Sequence, residues 1–190
     1  DEYGMLTNVL PNGLQLDMIT SIKEFIDNSI DANANKLTIK FTKHPNINAI
    51  KLTIIDNGDG MDIAGRESFI TLCQQNKDNS KNGFYGLGSI AALTTITLNN
   101  KALKGHRKTK VLTVSDKEDD KDGYGEVNID WDFIENDHGN KKVWSENVRS
   151  DNVSRYNSKF LEDNMLLKDG GTYIETIVSH DFVDESKLNK

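Results

Sequence analysis

At 190 residues the chain suits one compact domain with a single sizeable core. Its 36% hydrophobic and 28% charged residues argue against a disordered tract, and no apolar run nears the roughly 20 residues of a membrane-spanning helix. A net charge of −7 excludes a nucleic-acid grip built on a broadly basic surface, so nucleic acid is expected only through other parts of a parent protein. A single cysteine, Cys73, cannot close an internal disulfide and predicts a reducing, intracellular setting, cytoplasmic or nuclear. The chain opens on Asp1 and shows no signal-peptide pattern, which leads us to expect one domain over 1–190, cut from the N-terminal part of something longer. Scattered His44, His106, His138 and His180 give no zinc-ligand spacing.

Residues 15–32 predict an amphipathic helix. Advancing about 100° per residue from Glu24, the apolar Ile19, Ile22, Phe25, Ile26 and Ile30 gather between about 100° and 240°. Glu24, Asp27, Asn28 and Asp31 lie within about 60° of zero, on the other side. Alternation predicts strands at 36–42, with Leu37, Ile39 and Phe41 inward, and at 49–56. Two glycines in 56–60 break the second strand, and a helix is predicted over 63–74. A polar stretch, 75–82, then runs into Gly83-Phe84-Tyr85-Gly86-Leu87-Gly88 and a helix over 89–93. Strands are predicted at 94–99, 110–115, 126–133 and 172–179, with a helix near 158–167. This order predicts an α+β fold, a mixed and mostly antiparallel sheet with helices on one face.

Four segments carry chemistry. In Glu24-Phe25-Ile26-Asp27-Asn28-Ser29-Ile30-Asp31-Ala32, adjacent Asp and Asn in mid-helix cost stability without packing return, although a solvated face is the commoner reason for such a stripe. Asn28 offers a side-chain oxygen to Mg²⁺, and Glu24, one turn earlier, can take a proton from an attacking water. Asp56-Asn57-Gly58-Asp59-Gly60-Met61 reads either as a tight turn or as a nucleotide loop whose carboxylate accepts from an adenine amino group. Gly83-x-x-Gly86-x-Gly88 frees backbone N–H groups for an anion, while Ser89 stands where a P-loop needs lysine. Gly170-Gly171-Thr172 opens the last strand, with Thr172 able to reach back toward Asp56 or a phosphate.

Taken in order, these segments resemble the GHKL superfamily of gyrase, ninety-kilodalton heat-shock chaperones, histidine kinases and MutL. Glu24 to Ala32 matches E-x-x-D-N-x-x-D-A; Asp56, Gly58 and Gly60 match D-x-G-x-G; Gly83, Gly86 and Gly88 match G-x-x-G-x-G; Gly171-Thr172 matches the terminal pair. The resemblance implies the Bergerat fold, an α+β two-layer sandwich with a flexible ATP lid over roughly 75–88. It also implies ATP and Mg²⁺ as cofactors, Glu24 as general base and Asn28 as metal ligand. Asp31, Asp56, Gly58, Gly60, Met61, Gly83, Tyr85, Gly86, Leu87, Gly88, Ser89 and Thr172 would join Asn28 around the nucleotide. Glu24 favours the hydrolysing gyrase–MutL–MORC branch, whose nucleotide-dependent homodimers close as clamps. A histidine-kinase-like phosphotransferase and a non-hydrolysing binding module are the alternatives. Gyrase- and MutL-like enzymes add a second domain whose lysine reaches the terminal phosphate, so this segment alone is expected to bind ATP and turn it over feebly.

Three weaker patterns are read as structural. Residues 116–123 begin like a calcium loop but put Ile129 where glutamate belongs, counting from Glu118. The basic run 101–110 is expected to be a charged hairpin tip, with a minority chance of touching DNA or a partner, and Trp131 and Trp144 to be packing residues. Asn152-Val153-Ser154 is a sequon that an intracellular protein would not use.

Overall fold

The computed structural model describes residues 17–70, 87–98, 100–115, 123–136, 148–154 and 170–180. The first helix, α1 (Met18–Asp31), starts where the Asp17 side chain accepts the Thr20 N–H at 2.7 Å. It ends as the chain turns through Asn33, whose φ of 60° is a conformation asparagine tolerates. The expected apolar face is not the buried one. Met18, Ser21, Phe25 and Ser29 are buried, whereas Ile19 and Ile30 stay 58% and 64% exposed. The helix is therefore rolled by roughly 60° from the position its hydrophobic pattern alone would choose. That roll brings Glu24 and Asn28 to the half-buried flank.

Strand β1 (Leu37–Lys43) and strand β2 (Ala49–Asp56) form an antiparallel pair at one sheet edge. Helix α2 (Ile63–Ile70) and helix α3 (Leu87–Leu93) follow, α3 running into a π-helix over Thr94–Leu98. After a single 3-10 turn (Lys101–Leu103) come β3 (Lys108–Val114), β4 (Gly123–Asp130), α4 (Trp131–Asn136), β5 (Val148–Ser154) and β6 (Gly171–Ser179). The strand order is β1-β2-β6-β3-β4-β5, and every described pairing is antiparallel, with no parallel component of the kind a mixed sheet implied. One face packs Leu52, Ile54, Val111, Ile129 and Ile174 against Phe25, Ile90, Leu93, Ile96 and Trp131 of the helical layer. The fold is thus an α+β two-layer sandwich. On the other face Leu112, Val114 and Tyr173 make a small cluster, flanked by Lys51–Glu175 and Lys110–Glu126 pairs at 3.2 Å each.

Three elements differ from expectation. Residues 94–98 continue a helix instead of forming a strand, although Thr-Thr-Ile-Thr is β-branched. Tertiary contacts override the propensity: Thr94 Oγ1 bonds the Ile90 carbonyl at 2.7 Å, and Thr97 Oγ1 meets Thr176 Oγ1 at 3.0 Å in the core. The strand expected to reach Phe133 stops at Asp130, because the Asp130 side chain caps a helix by accepting the Phe133 N–H at 3.1 Å. Strand β5 carried no periodic signal. The basic run 101–110 is no simple tip, since Arg107 is fully buried there. Its guanidinium pairs with Asp132 at 2.7 Å and with Glu135, the two half-buried carboxylates of α4 closing the corner. Cys73, Trp144, most of the glycine lid and the helix expected near 158–167 lie outside the described residues.

Candidate functional site

Strand register builds one wall. Asp56 on β2 is the partner of Thr172 on β6, Thr172 of Thr113 on β3, and Thr113 of Gly125 on β4. Side chains along that row leave the same face of the sheet. Asp56 is buried, and burial raises its carboxyl above the ordinary 3.8, against hydrogen bonds from the Gly58 N–H, the Ser29 hydroxyl and the Thr172 N–H. Gly58 N lies 2.9 Å from Asp56 Oδ1 and Ser29 Oγ 3.4 Å from Oδ2. Among the described residues, then, these partners of the carboxylate are neutral donors, a combination that favours recognition of a further donor.

The loop after Asp56 is fastened on both sides. Asn57 Oδ1 accepts the Asn35 and Lys36 N–H groups at 3.1 and 2.8 Å, and Asn33 Nδ2 reaches Asp59 Oδ2 at 2.7 Å. Gly60 has φ 68°, and a side chain there would overlap the Val114 carbonyl, so the backbone can lie flush on β3 only as glycine. Met61 then donates its N–H to Thr113 Oγ1 at 2.7 Å.

The opposite wall is the contact of α1 with α3. Asn28 Nδ2 donates to Ser89 Oγ at 2.8 Å, leaving Asn28 Oδ1 as the atom that can face a cation. The Glu24 carboxylate lies against the Cα of Gly88, in space that a Cβ would fill. Mg²⁺ takes hard oxygen ligands and keeps several waters, so one amide oxygen beside a triphosphate fits its chemistry.

Of the residues singled out by sequence, the structure brings together Glu24, Asn28, Gly88 and Ser89 at one wall and Asp56, Gly58, Gly60, Met61 and Thr172 at the other. Asp31 does not join them; it is exposed at the end of α1. Gly83, Tyr85 and Gly86 lie outside the described residues, and Leu87 is described only as the first residue of α3. Ser29 and Thr113 were missed. Ser29 stood inside the first motif at about 140°, within the predicted apolar arc, where a hydroxyl among apolar residues was the available signal. Thr113 shares the inward face of β3 with Val111, two residues earlier, and a polar residue at an inward strand position was the available signal.

The family described as "Histidine kinase-, DNA gyrase B-, and HSP90-like ATPase" matches residues 16–159. Yeast (Saccharomyces cerevisiae) DNA mismatch repair protein PMS1 is 35% identical over 102 residues, 52% of this chain and 11% of the yeast protein. Among solved structures, the N-terminal domain of a DNA repair protein aligns over 95% of this chain and 40% of its own, at 21% identity and a TM-score of 0.49. The 43K ATPase domain of Thermus thermophilus gyrase B, solved with an aminocoumarin, aligns over 89% and 37%, at 14% identity and a TM-score of 0.49. The chain thus spans well under half the length of each of these relatives.

Proposed function

Because the chain belongs to the histidine kinase-, DNA gyrase B- and HSP90-like ATPase family, an ATP-binding family, we propose that it binds ATP with Mg²⁺ between α1 and the Asp56 loop and hydrolyses it. The roll of α1 carries this reading: two isoleucines stay in water while Glu24 and Asn28 turn to the flank that meets α3. Burying the exposed 58% and 64% of the two isoleucines instead would gain roughly 2–4 kcal/mol, which a use for the observed roll would offset. Asp56 accepts a hydrogen bond from the adenine amino group, with Thr172 beside it. Asn28 Oδ1 holds the metal, which supplies charge neutralisation on the phosphates. Glu24 takes a proton from the water that attacks the terminal phosphorus, and the bond to the bridging oxygen breaks to give ADP and phosphate. Gly88 and Ser89 stand beside the phosphates, with the glycine segment from Gly83 to Leu87 as the lid.

In the longer protein we infer a nucleotide-dependent homodimer, and the mismatch repair relative supports DNA association through other domains. The test is calorimetric and kinetic. Wild-type protein should bind Mg-ATP; Glu24→Ala should keep binding and lose phosphate release by about 10²–10⁴-fold. Asn28→Ala should lose the magnesium-dependent part of the affinity. Unchanged Mg-ATP binding in Asn28→Ala, continued release in Glu24→Ala, or transfer of labelled phosphate to a protein histidine would each sink the reading.

A further inference from the structure

Met61 is held from two sides by residues that no motif includes. Its N–H is bound by Thr113 Oγ1 at 2.7 Å, and its carbonyl accepts Arg66 Nη1 at 3.1 Å. Both holders are buried: Thr113 is 0% and Arg66 2% exposed. Thr113 also donates to the Gly171 carbonyl at 3.0 Å and lies 3.4 Å from Thr172 Oγ1, so it reads the loop and the start of β6 together. Arg66 reaches Met61 by lying directly on Gly125, where a Cβ would collide with its Cδ, Nη1 and Cζ. Gly125 is the partner of Thr113, so Thr113 stands in the row that begins at Asp56 and Arg66, from α2, lies on the end of it. Two strand spacings, about 10 Å, separate Asp56 from Thr113 along that row, with Thr172 between them.

Resting on the adenine-pocket reading above, we propose that Thr113 and Arg66 are positioning residues that fix Met61 as the wall of the base pocket. They set the depth of the pocket and thus nucleotide affinity, while the water-attacking end on α1 is untouched. A loop pinned at both its N–H and its C=O arrives at the ligand already ordered, so less ordering cost is charged to binding. Met61 suits such a wall because its thioether packs adaptably on a flat π face.

The experiment measures the Mg-ATP dissociation constant, KM, kcat and thermal midpoint for wild type, Thr113→Val, Thr113→Ser and Gly125→Ala. Thr113→Val keeps the shape and loses the acceptor; it should weaken Mg-ATP about tenfold and raise KM in parallel, with kcat at saturation within about twofold of wild type. Thr113→Ser should restore the affinity. Gly125→Ala displaces Arg66 and should weaken binding in the same direction, which keeps the proposal testable if Thr113→Val does not fold. Unchanged affinity in folded Thr113→Val or Gly125→Ala, a fall in kcat equal to the change in affinity, or no rescue by serine overturns the clamp. Failure of wild-type protein to bind Mg-ATP is a separate result, overturning the adenine-pocket reading and the clamp with it.

Discussion

Asp56 and Arg107 are both buried charged groups, and the molecule treats them in opposite ways. Arg107 sits at the corner between β3 and α4 with two carboxylates on its guanidinium. Burial works against its charge, but Glu135 and Asp132 outweigh that and raise its affinity for the proton. For Asp132, burial pushes upward, yet N–H donors from Gly105 and Arg107 and the guanidinium itself hold the carboxyl below its ordinary 3.8. The hydrogen bond from Arg107, against a smaller burial effect, likewise holds Glu135 below 4.5. Asp56, by contrast, is bordered by neutral donors, and burial wins. A compensated buried charge is architecture. One that lacks a counter-charge is a cost to the fold, sensible where an incoming ligand supplies the missing donor.

The comparison breaks most decisively at Arg107. Arg107→Ala takes the buried guanidinium away from Asp132 and Glu135, both only partly exposed, and breaking a buried pair typically costs about 3–5 kcal/mol. The lower figure applies because Asp132 and Glu135 side chains are 14% and 28% exposed. Thermal unfolding should therefore fall by roughly 10 °C, while the folded fraction binds Mg-ATP with unchanged affinity. A matching loss of affinity per folded molecule would show that the corner is part of the site.

Asp56→Asn sharpens the comparison from the other side. The amide keeps an acceptor for the Gly58 N–H and removes the buried charge, so the nucleotide-free domain should gain about 1 kcal/mol, a few degrees of midpoint. Its NH₂ then opposes the adenine amino group, and Mg-ATP should weaken by about 2–3 kcal/mol, roughly a hundredfold. The same variant losing both stability and binding would make Asp56 an architectural residue like Arg107.

How far the sequence reached follows the same division. The spacing of Glu24 and Asn28, the Asp56 loop and Gly171-Thr172 were legible because each is a local pattern whose residue types answer to one chemistry. The roll of α1 was not, since Ile19, Ile22, Phe25, Ile26 and Ile30 define one face while tertiary packing buries another, that of Met18, Ser21, Phe25 and Ser29. Thr113 entered through strand register, which brings a residue 52 positions from Met61 onto it by a route no local window contains, whereas Arg66, only 5 positions away, lay in a predicted helix whose pattern gave no sign that its side chain turns back to the loop. Arg107 was hidden differently: four neighbouring cations made a solvated tip the default, and of the two carboxylates it pairs with, Asp132 lay in a segment read as strand and Glu135 just beyond it. The π-helix over Thr94–Leu98 was lost to β-branched composition, which core hydroxyl bonds outweigh.

Acidification should separate the two regions with the smallest but most diagnostic effect. Asp132 and Glu135 have folded values below their unfolded ones, so their contribution to stability is complete above about pH 4.5 and is lost progressively as pH falls through the depressed values. Asp56 has the opposite sign. Its folded value lies above 3.8, so its destabilising contribution is complete above that raised value and disappears as pH falls toward 3.8. Thermal midpoints across pH should therefore show the advantage of Asp56→Asn shrinking as pH falls through the raised Asp56 value toward 3.8, and the deficit of Arg107→Ala shrinking as pH falls from about 4.5 through the depressed values of Asp132 and Glu135. Mg-ATP affinity of the wild type should drop together with the Asp56→Asn advantage, because a protonated Asp56 no longer accepts from the adenine amino group as a carboxylate does. An affinity that instead falls only together with the Arg107-dependent stability would place the titrating group in the fold and not in the site.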